Sequence, residues 1–265
     1  MATKVWSGTD GNWGTAGNWS PSGVPVNGDD VIFNTGSQAV TGSDQSAVTL
    51  DSLTVTDDYT GDIGSSSTSM SINATEVRLS GGGNIYLNGT YTDMHVLNQP
   101  ATGDGCDLDG SITNLYWSAG NMTLASTLSV TTAYFVASVG TCTIETSVSI
   151  TAAFMTGGTV SASSAPTTFA LSSGTWTQLD GASTTFTQTG GVYNFQTDDT
   201  ITTARVFAGT FDARENTNFG ATITTMIIGK ATVRLDGGVE ITLTNSPILL
   251  NGKSSKLVRN PGEAA

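Results

Sequence analysis

The sequence predicts an all-β chain, a single-stranded parallel β-helix (β-solenoid) with a Trp-rich N-terminal cap and rungs of about 16–20 residues, each too small to fold alone. Three observations carry that expectation: a composition of strand and turn formers, apolar residues alternating at i and i+2, and a glycine that returns at near-constant spacing. Of 265 residues, 32 are glycine and only 12% are charged. The remaining polar positions are filled mainly by Thr, Ser and Asn. β-Branched Thr fits a pleated strand, and Gly and Asn accept turn dihedrals. Helix formers are scarce. A Gly/Ser/Thr-rich chain is open to disorder, but a hydrophobic content of 37% in regular alternation is enough to bury a core.

The repeat is read from Gly120, Gly140, Gly158, Gly174, Gly191, Gly209 and Gly229, with gaps of 20, 18, 16, 17, 18 and 20. Two positions after each stands Met122, Cys142, Val160, Trp176, Tyr193, Phe211 or Ala231. Four positions after stands Leu124, Ile144, Ala162, Gln178, Phe195, Ala213 or Val233, with Gln178 the one polar exception. Gly83, with Ile85 and Leu87, fits the same template one double interval upstream. An i, i+2 apolar pair shares one strand face. The glycine before it supplies the bend or close backbone approach of a coil corner. Such a unit must stack on its neighbours to bury its apolar face.

A solenoid exposes strand edges at both ends, so its ends need covering. Residues 1–34 are predicted to form an aromatic cap and first strand, with Trp6, Trp13 and Trp19 packing together. A turn at residues 27–30 follows, in which Asp29 and Asp30 are expected to bond local backbone N–H groups, and then the apolar run Val31–Phe33. Residues 35–250 are the solenoid, and residues 251–265 a basic tail.

Charge limits the partners. The net charge is −13, which disfavours nucleic acid and anionic membranes. Residues 1–204 hold two bases, Lys4 and Arg78, against 17 acids; residues 205–265 hold seven bases and five acids. Lys253, Lys256 and Arg259 in the tail read first as a solvated terminus and, alternatively, as docking residues for an acidic or carbonyl-rich partner. The N-terminus lacks the apolar core of a secretory signal, and no stretch is long enough to span a membrane, so synthesis in the cytoplasm is expected.

The segment from Trp6 to Phe33, WSGTDGNWGTAGNWSPSGVPVNGDDVIF, resembles the opening module of bacterial β-solenoid adhesins and phage β-helix proteins. In those, a GNW, a VP and a GDD-apolar group precede the stacked coils. The resemblance is confined to that segment, with a looser likeness in the repeat. It implies a virion surface protein made in the host cytoplasm. That protein would be a capsid decoration or cement protein, homotrimeric and seated on the major capsid protein. The alternative it implies is a receptor-binding tailspike or adhesin contacting a surface glycan.

Catalytic chemistry is not expected. Asp29-Asp30, Asp57-Asp58 and Asp198-Asp199 are adjacent pairs, and neighbours on a strand point to opposite faces, so they converge only with help from a turn. The chain is expected to be non-enzymatic and to need no cofactor or metal. Asp104, Asp107 and Asp109 in GDGCDLDG have the i, i+2 spacing and ligand type of a calcium loop. However, an EF-hand would need Glu where Tyr116 stands, and a solvated loop is expected. His95, the sole histidine, reads as an ordinary strand residue. Cys106 and Cys142 lie two rungs apart, which at ~4.8 Å per rung is beyond disulfide reach. Both are expected free, one in the core. The T-x-T pairs Thr141/Thr143, Thr175/Thr177, Thr185/Thr187 and Thr242/Thr244 wander relative to the glycine and read as solvated strand residues.

Overall fold

The computed structural model describes residues 1–41, 44–99, 105–218, 220–236, 241–250 and 256–258. Among them there is no α-helix, and the strands form a parallel β-solenoid. Each coil contributes residues to two ladders that run along the stack. On one, Phe33, Val55, Leu79, Val96, Trp117, Phe135, Met155, Leu171, Gln188, Val206, Ile228 and Leu249 lie in register. On the other run Ile85, Cys106, Met122, Cys142, Val160, Trp176, Tyr193, Phe211, Val233 and Leu257.

Both columns point inward because alternate strand residues share a face. Except near the C-terminus, their members are buried. The ladders meet inside: Phe169 lies 4.3 Å from Trp176 and Phe186 lies 4.2 Å from Tyr193, between ring centroids. Gln178, the polar exception in the repeat, is buried; its Oε1 accepts from Trp176 Nε1 at 2.8 Å and its Nε2 donates to the Asp180 carbonyl. A buried amide so bonded avoids the desolvation cost that would otherwise exclude it.

The corner glycines behave as their spacing predicts. Gly120, Gly140, Gly158, Gly174, Gly191 and Gly209 all have positive φ. They also stack closely: a Cβ on Gly140 would sit 2.1 Å from the Gly120 carbonyl oxygen, and one on Gly209 would sit 2.5 Å from that of Gly191. Both the dihedral and the close approach demand glycine. Gly229 departs from the expectation. It lacks a positive φ, and Phe211 stacks on Val233 rather than on Ala231. The coil from Phe211 to Val233 is longer than the one from Tyr193 to Phe211, so the corner position of Gly209 passes to Ala231.

Coil length is more variable than the expected range. The coil from Cys106 to Met122 matches its short end, whereas those from Val55 to Leu79 and from Val233 to Leu257 are half as long again. Some extra residues are taken up where the register shifts within a ladder, as between Gln45 and Thr49 and between Met155 and Thr159, and others in turns. The turn closed by Ser65 and Thr68 is one such insertion.

The N-terminal end is closed by a change of strand direction. Thr3–Trp6 pairs in parallel with Asp30–Phe33, and its other edge pairs antiparallel with the short strand Trp19–Ser20. So short an edge strand, followed by Pro21, offers little for another strand to pair with. The predicted cap residues come together: Trp6–Trp19 centroids are 5.0 Å apart, Trp13–Trp19 4.5 Å and Trp6–Phe33 5.6 Å.

Candidate functional site

The described coils are filled with apolar side chains, so this fold presents its chemistry on the outer surface and at the cap rather than inside the coils. The most distinctive surface feature is a ladder of rings on the outward side of one sheet. His95, Tyr116, Tyr134 and Phe154 are register partners in four successive coils. Their centroids are 4.6, 4.8 and 5.4 Å apart and their planes lie within 17° of parallel. The spacing follows the strand spacing. Each ring thus covers its neighbour's face, leaving edges and the tyrosine hydroxyl positions to the outside. A sugar stacks on a ring face, so a ladder whose rings cover one another offers edges rather than a row of sugar platforms. Beside it, two positions back on each strand, Asn114 Nδ2 donates to Asp93 at 2.9 Å. Phe154 and Val136, at 41% and 46% exposure, extend the apolar strip.

This ladder is not legible in the sequence. His95 reads there as a lone strand residue, and the aromatics one position before Trp117, Phe135 and Met155 show no alignment. The interval from one ring to the next changes at every coil, so no fixed period finds it. Aligning coils on their inward residues would.

The threonine pairs need a correction. Thr141/Thr143 and Thr175/Thr177 share one phase, with Thr159/Ser161 in register between them. A serine hid the middle coil. Thr185/Thr187 and Thr242/Thr244 belong to the other sheet. The array spans three coils and then meets Val192.

The segment with Asp107 and Asp109 is not a loop. It lies on the strand Cys106–Trp117, with Cys106 and Leu108 turned into the core. Asp109 accepts from the Gly110 N–H at 2.7 Å and from Thr127 Oγ1. Asp104 lies outside the described residues. Cys106 and Cys142 are both free and buried, with Met122 between them in the column. Burial pushes both thiols well up.

Of the acidic pairs, Asp198-Asp199 does get a turn's help. Oxygens of Asp180, Asp198 and Asp199 lie within 4.8 Å of one another. Asp180 and Asp199 share a hydrogen bond that raises the Asp180 carboxyl. Burial pushes Asp199 up, but bonds from the Gly181 N–H, Asp180 and Thr197 outweigh it and leave the group below its ordinary value. In the cap, Asp29 Oδ1 accepts from the Ala2 N–H at 2.8 Å and Oδ2 from the Val26 N–H at 3.1 Å. Asp30 instead accepts from Ser52 Oγ on the next coil.

The basic docking residues are only partly described. Lys253 and Arg259 lie outside the described residues. Lys256 opens the strand Lys256–Val258, which pairs in parallel with Thr232–Arg234. Part of the predicted tail is therefore built into the solenoid. The coil end nearby exposes Ile248, Leu249 and Leu250 at 50%, 48% and 54%.

Comparison with protein-family models, curated proteins and solved structures gives no match to this chain.

Proposed function

We propose that this chain is a non-enzymatic structural protein of a tailed-phage virion, a trimeric knob that decorates and cements the capsid surface by docking on the major capsid protein. The observation that carries the reading is the inequality of the two ends. One is closed by aromatic packing and an antiparallel edge strand; at the other, the described strands stay parallel and Ile248–Leu250 are exposed. The acidic rod and the base-richer last quarter point the same way, toward docking by the C-terminal end.

Cementing follows from linkage. A rod that binds neighbouring subunits of an assembled shell, and binds free subunits less well, stabilises the shell by mass action. The solenoid suits this because backbone ladders join successive coils among the described residues, so force at one end is carried along the stack.

The test joins solution mass with co-sedimentation on capsid shells of the producing phage. A trimer that sediments with shells, and whose removal lowers their heat resistance, is the expected result. A monomer that ignores shells overturns the proposal and leaves the tailspike or adhesin alternative.

A further inference from the structure

Beside the tryptophan cluster a cavity of about 410 Å³ opens between residues 6–8 and 35–38, with Tyr59 in its lining. Its residues are uncharged. The Tyr59 hydroxyl donates to the Gln38 carbonyl at 2.6 Å and fixes the second loop on the aromatic core. The first loop is held as well: the Ser7 N–H donates to the Asn18 carbonyl at 2.9 Å and the Thr9 N–H to Asn18 Oδ1 at 3.1 Å. The walls are therefore preformed.

The polar groups of this cavity stand at its mouth, on the exposed residues Ser7, Thr35, Ser37 and Gln38, and are largely free of protein partners. The hydroxyls of Ser7, Thr35 and Ser37 make no hydrogen bond among the described residues, and the Gln38 carboxamide makes a single long one, 3.4 Å to the Ala39 carbonyl. Trp6 lines the cavity, is buried, and has an Nε1 with no hydrogen-bond partner among the described residues. The Nε1 of Trp13 in the same cluster is likewise unpaired, and both nitrogens are buried, so the groups that a ligand can reach are the loop hydroxyls and the carboxamide.

We infer that this cavity is a binding site for a neutral sugar, a single residue of a glycan. A charged ligand would arrive without a counter-charge and lose its hydration for nothing. A purely apolar one would strip water from three hydroxyls and a carboxamide without replacing it. A polyol meets hydroxyls that both donate and accept, with aromatic carbon beside them, in a cavity of the size small ligands occupy. The site stands whether or not the rod decorates a capsid.

The experiment titrates the full chain separately with glucose, galactose, mannose and N-acetylglucosamine, read by saturation-transfer NMR and by tryptophan fluorescence. Saturable binding of at least one sugar is expected, with Kd on the order of 1 mM. Ser37→Ala and Gln38→Ala should each weaken it about fivefold, one hydrogen bond's worth, with unchanged melting. Thr175→Val, far along the rod, should leave it intact. No saturation with any of the four, or saturation that neither loop substitution weakens, overturns the inference. Neither result bears on shell binding, which is read separately by co-sedimentation.

Discussion

The two ends of this rod meet the same physical problem with different means. A parallel stack of coils has an open strand edge at each end, and such an edge invites further pairing. At the N-terminal end the chain reverses direction, pairs Trp6 with Trp19 across an antiparallel bridge, and fills the space with Trp13, Phe33 and Tyr59. Asp29 ties the first residues to the following turn. At the C-terminal end the described strands, Ile248–Leu249 and Lys256–Val258, are short but stay parallel, and the inward column finishes on Leu249 at 48% exposure. The comparison teaches that stacking supplies most coils with their stability, whereas an end must be given it by side chains chosen for the purpose. The cap has those side chains, and the described residues Ile248–Leu250 at the far end present apolar surface instead.

The sharpest way to break that comparison is to truncate one large apolar residue at each end. Trp13→Ala removes a fully buried indole and should cost about 3–5 kcal/mol in chemical denaturation. Leu249→Ala should change stability by no more than about 0.5 kcal/mol. Equal losses would mean that the far end is packed as firmly as the cap.

A smaller effect separates the glycine-cornered coils from the last ones. Gly209→Ala places a Cβ against the Gly191 carbonyl at a positive φ and should cost about 1–3 kcal/mol. Its successor at that corner, Ala231, already tolerates a side chain. Ala231→Gly should cost only about 0.5–1 kcal/mol, from backbone entropy. If both substitutions were harmless, the corner stack would not be a constraint.

The smallest effect is in pH. Burial pushes the Asp29 carboxyl up, but hydrogen bonds from the Val26 and Ala2 N–H groups, with the nearby amino terminus and Lys4, outweigh it and hold the group below its ordinary 3.8. Its contribution is therefore present above 3.8 and is lost as pH falls through the lower folded value. Amide exchange in the cap should accelerate there before exchange in the central coils, and Asp29→Asn should abolish that difference. Asp180 has the opposite sign. The hydrogen bond it shares with Asp199 raises its carboxyl and lowers that of Asp199, so the two contributions to stability oppose each other in pH.

What was legible in the sequence is whatever a single coil must carry by itself. The i, i+2 apolar pairs, the corner glycines from Gly120 to Gly209, the cap tryptophans and the two-coil separation of Cys106 from Cys142 are all local demands of strand, turn and stack. They recur because every coil meets the same neighbours. The tertiary structure alone decided which residues of different coils share a surface. Corner loops vary, so the coil after Val55 is half as long again as the one after Cys106, and outward positions drift out of any fixed period. That is why Gly229 looked in phase when Val233 held the place, and why Asp180 joins Asp199 across a coil. His95, Tyr116, Tyr134 and Phe154 form one ladder although nothing in their spacing announces it. Inward residues are constrained by the core they fill and leave a pattern; outward ones answer only to the register that the backbone ladders impose.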